Sequence, residues 1–241
     1  MFVLIERFEM TIQDKQFKRD AAFVADVSGK FVLEPSVVRN GWYGSFFKRV
    51  CDLALVLIAA PFVVPVILIL CALIARDGAN PFYRQNRIGR NGRVFSMWKL
   101  RTMIPDADKF LSGYLAKNGE AAKEWAESQK LKNDPRITSF GSILRKSSLD
   151  ELPQLWNVLT GEMSLVGPRP MMPDQRDLYP GLAYFSMRPG LTGYWQISDR
   201  NESSFSARAR FDTRYFNDMS LITDIKILFK TVGVVLRGTG Y

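Results

Sequence analysis

Two carboxylates stand side by side at Asp150 and Glu151, in the stretch "LRKSSLDELPQLWN" (144–157). Adjacent acids can divide nucleophilic and proton-accepting work between them, or hold a divalent cation together. The competing reading is structural. Ser148-x-x-Glu151 has the form of a capping box, and acids suit the first turn of a helix. Pro153 speaks against that register, because with Ser148 as the cap it becomes the fifth helical residue, where a backbone donor is needed. With Asp150 as the cap, Pro153 falls within the first turn, where N–H groups are free anyway. Leu152, Leu155, Trp156 and Leu159 then form one apolar stripe, and both acids sit at a helix mouth, a natural place for anions.

Cations surround this pair in the sequence. Arg136, Arg145 and Lys146 precede it; Arg169 follows in "GPRP" and Arg188 in "MRPGLTG". Neighbouring prolines restrict the backbone of these two arginines, so a guanidinium can be held ready for a phosphate at small entropic cost. Each arginine alone reads as an ordinary surface residue. Clustered with two carboxylates, they suit phosphoryl transfer, in which cations neutralise the phosphates enough for an anionic nucleophile to approach. There is no GxxxxGK[ST] loop, which argues against an ATPase or an ordinary kinase.

The composition narrows the chemistry further. The 241 residues contain no histidine, which removes imidazole bases, His-based triads and His-ligated zinc together. A formal charge of +9 and a pI near 9.6 call for anionic partners: nucleic acid, anionic lipid or phosphorylated substrates. No nucleic-acid-binding signature is present, so that partner is not expected. Cys51 and Cys71 lie in or beside one apolar run, without metal-ligand spacing or a disulfide framework, and read as small hydrophobic fillers.

That run, Leu53–Ala75, is 23 residues without a charge, long enough to cross a bilayer. It begins too far into the chain for a cleaved signal peptide and is apolar on all faces, unlike a soluble core helix. Pro61 and Pro65 lie near its middle, one turn apart, and predict a sharp bend. Lys48 and Arg49 precede it; Arg76, Arg84, Arg87, Arg90 and Arg93 follow. Basic flanks stay on the cytoplasmic side, so a re-entrant hairpin that returns to its own side satisfies both flanks and a straight span does not.

Three regions result: a loosely ordered arm over 1–40, a re-entrant membrane helix over 41–78, and a cytoplasmic globular domain over 79–241. Asn91-Gly92 between two strand-like stretches predicts a β-hairpin. Lys99 and Arg101 fall on one face at the end of its second strand. Residues 105–131 read as an amphipathic helix, 133–138 as a turn, 139–146 as a short helix and 152–160 as the helix behind the acids. The C-terminal "SLITDIKILFKTVGVVLR" is amphipathic and suits either the core or a lipid interface. The fold class is α+β, predominantly helical, with a small β-hairpin and interfacial amphipathic helices.

"KRVCDLALVLI…P", "GRVFSMWKLRTM", "NDPRITSFGSILRKSSLDELPQLWNVLTGEMSLVGPRP", "RPGLTGYWQISDRN" and "SLITDIKILFKTV" together resemble the bacterial sugar transferases, the monotopic phosphoglycosyl transferases, over about residues 45–241. The similarity is strongest to their short exopolysaccharide-initiating members. The resemblance implies transfer of a sugar 1-phosphate from a UDP-sugar to undecaprenyl phosphate, with release of UMP, at the cytoplasmic face of the bacterial inner membrane. It implies Mg²⁺ as cofactor, held by Asp150 and Glu151. Asp150 becomes the nucleophile of an aspartyl phosphosugar intermediate, and Glu151 assists through the metal or as a proton acceptor. Lys99, Arg101, Arg145, Arg169 and Arg188 become candidate phosphate ligands.

Galactose is the implied sugar, with glucose close behind and an N-acetylhexosamine third. Membrane lipids are further partners, and homo-oligomerisation is left open. One departure stands out: the family commonly has Ser-Pro at the membrane bend, where this chain has Val64-Pro65. The rival reading is a non-catalytic membrane adaptor of polysaccharide assembly, in which the acids only cap a helix.

Overall fold

The computed structural model describes residues 23–25, 31–33, 42–128, 131–198 and 205–236. Strands β1 (Phe23–Ala25) and β2 (Phe31–Leu33) pair antiparallel. The rest of the arm expected over 1–40 lies outside the described residues.

A π-helical turn at Tyr43–Phe47 leads into α1 (Lys48–Ile74). The helix runs unbroken through Pro61 and Pro65, so the prolines remove backbone donors without dividing it into two helices. One stripe of α1 faces the globular body along its whole length: Asp52, Val56, Leu70 and Ile74 are buried, with Ala60, Val63 and Ile67 half-buried between them. The other faces are apolar and bare, with Phe62 76% exposed. Only 11% of its most apolar stretch is buried, which sets it apart from the core helix of a soluble protein.

The expected hairpin is present as β3 (Phe82–Ile88) and β4 (Val94–Leu100), paired from Phe82↔Leu100 to Ile88↔Val94. Its turn is longer than a two-residue connection. Gly89 N–H donates to Arg93 O, and a tight turn over Arg90–Gly92 closes the loop, with Asn91 and Gly92 both left-handed. The segment expected as one helix over 105–131 is two, α2 (Ala107–Lys117) and α3 (Gly119–Ser128), parted where Asn118 becomes extended. The short helix is α4 (Ser139–Lys146), capped by Thr138 Oγ1 accepting from Gly141 N–H. Gly141 lies against the backbone of Thr102 so closely that a Cβ would not fit.

The helix expected over 152–160 is α5 (Gln154–Thr160), and the acids occupy a separate 3₁₀ turn, Leu149–Glu151, ahead of it. Ser148 is left-handed and its side chain makes no cap, so the capping-box reading fails. Pro153 takes the position just before α5, where a missing donor does no harm. A parallel pair follows that no pattern in the sequence announces, β5 (Ser164–Val166) beside β6 (Gly190–Thr192). Gly167 and Gly190 approach there too closely for any side chain, which draws the "GPRP" and "RPG" loops together. The remaining helices are α6 (Ala183–Ser186), α7 (Arg208–Asp218) and α8 (Leu221–Leu236).

The main core gathers Val56 of α1, Phe95 and Met97 of β4, Val158 of α5, Val166 of β5, Tyr215 of α7 and Ile227 of α8. A second cluster joins Ile88, Met171, Tyr179, Tyr184 and Ala209. A third ties the far end of α1, Leu70 and Ile74, to Leu100 and Leu144. Each such buried side chain contributes about 1.5–3 kcal/mol, so both ends of α1 are fastened to one body. Helix α8 packs through Asp224, Ile227, Leu228 and Thr231, while Ile222, Ile225, Phe229 and Val232 form an exposed apolar stripe, bordered by the exposed Lys226 and Lys230.

Candidate active site

Asn157 sets the spacing between the acid-bearing segment and β4. Fully buried, it accepts from Trp98 N–H at 3.0 Å and donates to Ser96 O at 2.8 Å, while its own carbonyl accepts from Glu162 N–H and Met163 N–H. This clamp brings the neighbouring Lys99 to the acids. Lys99 Nζ lies 2.8 Å from Glu151 Oε1 and 3.5 Å from Asp150 Oδ2. Asp150 is only 7% exposed. Burial is the largest influence on its carboxyl and raises its pKa; Lys99 opposes that, Glu151 beside it adds to it, and Arg145 opposes it. A buried carboxylate held next to another carboxylate, with a cation within reach, is a common signature of a reactive group.

A polar cavity opens at Glu151, beside Asp150. Its lining includes Lys99, Glu151, Gln154, Arg87, Arg169 and Gln196. Arg87 donates to Gln85 Oε1 at 2.6 Å and to Pro170 O at 3.3 Å, and its Nε is buried without a partner. Burial, and then the repulsion of Arg169, lowers its pKa to about 10. Arg169 lies over the Trp195 ring at 5.6 Å, and Arg208 over the same ring at 4.2 Å. Arg87 and Arg169 give the cavity wall a positive charge that suits an anion.

The five predicted phosphate ligands separate. Lys99 touches both acids, and Arg169 lines the cavity with Lys99 and Glu151. Arg145 attracts Asp150 while its Nε donates to Thr102 Oγ1 at 2.8 Å. Arg101 points the other way, donating to Asp77 Oδ1 at 2.6 Å and to Ile74 O at 3.1 Å, where it seals the end of α1. Arg188 donates to Gly161 O at 2.9 Å and lines another cavity, with Lys48, Asp52 and Arg90. Arg87, Gln154 and Gln196 were not singled out from the sequence. The hairpin register could have found Arg87, since pairing with Phe95 puts it on the face that carries Lys99.

Residues 43–238 match the family of bacterial sugar transferases. The chain is 48% identical to the UDP-galactose-lipid carrier transferase of Erwinia amylovora, over 81% of this chain and 41% of that protein. The chain belongs to the bacterial sugar transferase family. It is 45% identical to the exopolysaccharide production protein ExoY of Rhizobium meliloti, over 82% of this chain and 88% of the relative. With the UDP-glucose:undecaprenyl-phosphate glucose-1-phosphate transferase of Escherichia coli it shares 35% identity, over 77% of this chain and 39% of that protein. The chain thus spans about two fifths of the Erwinia relative and most of ExoY. The long exposed apolar helix makes this family member a membrane-associated protein.

Metal holding fits a divalent ion that keeps most of its own shell. Among the described residues no group of three or more Asp, Glu, Cys or His converges, so a full protein cage is absent. Mg²⁺ is typically held by one or two carboxylates and completed by substrate phosphates and water, and Asp150 and Glu151 provide that number.

Proposed function

We propose that this protein is a phosphoglycosyl transferase that moves galactose 1-phosphate or glucose 1-phosphate from a UDP-sugar to undecaprenyl phosphate, the first membrane step of exopolysaccharide repeat-unit synthesis. The observation that carries it is the buried Asp150 beside Glu151, which lines a cavity together with Arg87, Lys99 and Arg169. Galactose is placed ahead of glucose because the Erwinia relative named for galactose is 48% identical and the Escherichia relative named for glucose 35%.

An Asp150 carboxylate oxygen attacks the β-phosphorus of the UDP-sugar. The bond from that phosphorus to the bridging oxygen breaks, and UMP leaves with the electron pair. A phosphate oxygen of undecaprenyl phosphate then attacks the same phosphorus, and the Asp150–phosphorus bond breaks, restoring the carboxylate and giving the lipid diphosphate sugar. Arg87, Lys99 and Arg169 bind and screen the phosphates, so that the carboxylate meets less repulsion. Glu151 keeps Lys99 close, and its further part in this reading is to help hold the metal or to act as a proton acceptor. When bound at the acid pair, Mg²⁺ supplies charge neutralisation at the pyrophosphate.

Helix α1 is read as re-entrant from the cytoplasmic face of the inner membrane. Arg49 at its start donates to Val158 O and Leu159 O, and Arg101 binds Ile74 O at its end, so both ends meet one polar body. A straight span would carry one end to the far side. The apolar stripe of α8, with lysines on its border, is read as lying in the same interface. Purified protein in lipid discs, offered undecaprenyl phosphate and one labelled UDP-sugar at a time, tests the activity. Label should move to lipid with UDP-galactose or UDP-glucose. No lipid-linked phosphosugar from any UDP-hexose would remove this reading.

A further inference from the structure

We propose that a second cavity, apolar and sharing a wall with the acid pair, seats the first isoprene units of the lipid acceptor. This rests on the reading of the protein as a transferase to a polyprenyl phosphate. The cavity measures about 380 Å³, the size of a small-molecule site rather than of a whole polyprenyl tail. One wall is α1, through Val56, Ala60, Val64 and Ile67; the other includes Trp98, Leu152, Pro153 and Trp156. All the lining residues are apolar. Val64, where the resembled pattern has serine, helps keep the α1 wall free of hydroxyls.

Neighbouring residues of the chain line the two cavities. Successive strand residues point to opposite faces, so on β4 Lys99 faces the polar cavity and Trp98 the apolar one. In the acid-bearing segment Glu151 lines the first, and Leu152 and Pro153 line the second. Arg84 lies over the Trp98 ring at 4.9 Å, a cation beside an otherwise apolar site. A ligand with an anionic head joined to a hydrocarbon chain matches both cavities.

A UDP-sugar matches only the polar side. The acceptor phosphate must come within bonding distance of a phosphorus carried at Asp150, so the isoprene units joined to it must lie within a few bonds of the acids. A phospholipid acyl chain has the right polarity, but nothing ties its headgroup to that point. An isoprene chain in the cavity would also cover Trp156, a lining residue that is 59% exposed.

The test uses full-length protein in lipid discs and a short polyprenyl phosphate carrying a diazirine in its second isoprene unit. Label should fall within residues 56–67 or 152–159, or on Phe82 or Trp98, and be displaced by undecaprenyl phosphate, but not by added phospholipid. Label elsewhere, or displacement by phospholipid, would overturn the assignment. Independently, Ala60→Phe narrows the cavity and should raise the KM for undecaprenyl phosphate about tenfold or more, with acceptor-free UMP release unchanged. An unchanged acceptor KM would also overturn it. Should Ala60→Phe lose both half-reactions, the labelled wild-type peptides decide. Should the wild type release no UMP at all, the transferase reading fails, while the labelling still reports what the cavity holds.

Discussion

Two buried acidic centres in this molecule are built in opposite ways. At Asp224, on α8, Lys48 and Tyr43 donate to Oδ2 at 2.6 and 2.7 Å, and Tyr215 donates to Oδ1 at 2.6 Å. That carboxylate has three donors from three other elements and fastens α8 and α7 to the start of α1; the acid near it, Asp52, is itself held by Ser164 Oγ and Leu165 N–H. Asp150 is as well buried, but its cation stands at 3.5 Å and is drawn to Glu151 at 2.8 Å. Saturated donors make a carboxylate inert and structural, whereas burial beside a like charge leaves it poised to react. Burial alone would not have told the two apart.

Substitutions at the two centres should therefore give opposite phenotypes. The largest effect expected is at the reactive one: Asp150→Asn should lower sugar-phosphate transfer at least ~10³-fold, the scale on which covalent nucleophiles are lost, with thermal stability and membrane association unchanged. Unchanged transfer would revive the adaptor reading. Asp224→Ala should do the reverse. Loss of one partner from a buried ion pair costs about 3–5 kcal/mol, visible as a lower denaturation midpoint, while transfer per folded molecule stays close to wild type.

Lys99→Met sharpens the contrast through pH. Lys99 pulls the Asp150 pKa down against the burial that raises it. Its removal raises that pKa further, and since the proposed nucleophile is the ionised form, the acid limb of UMP release should move to higher pH. A limb that stays in place would mean that the titrating group is not Asp150.

The smallest effect concerns Asp212, a third buried acid, which accepts from Tyr179 Oη at 2.6 Å. Burial pushes it up to about 7, with Tyr179 and Arg208 opposing. A folded value above the unfolded one means that its contribution to stability is full below about 3.8 and is lost as pH rises through about 7. Thermal midpoints should fall across that window, and Asp212→Asn should flatten the fall.

The sequence carried the local features and missed several that depend on packing. The acid pair, the apolar run, the hairpin and α4 were legible because each is written in adjacent residues. The parallel β5–β6 pair was not, since three-residue strands leave no periodic signal and their pairing rests on glycines far apart in the chain. Asn118 divided a helix that composition alone would have continued. Arg101 and Lys99 share a strand face by parity, yet Arg101 lies just past the end of β4, where Asp77 and the last turn of α1 take it away from the acids. The capping box failed because Ser148 adopts a left-handed backbone, which spacing does not reveal.

Transfer as proposed runs through a bond between Asp150 and the phosphorus of the donor. Purified protein incubated with UDP-galactose and Mg²⁺, without acceptor, then quenched, digested and weighed by mass spectrometry, reads it directly. The account predicts a hexose-phosphate adduct on the peptide that contains Asp150, discharged when undecaprenyl phosphate is added. Full turnover of both substrates with no adduct at any stage, or an adduct on a different residue, would contradict it.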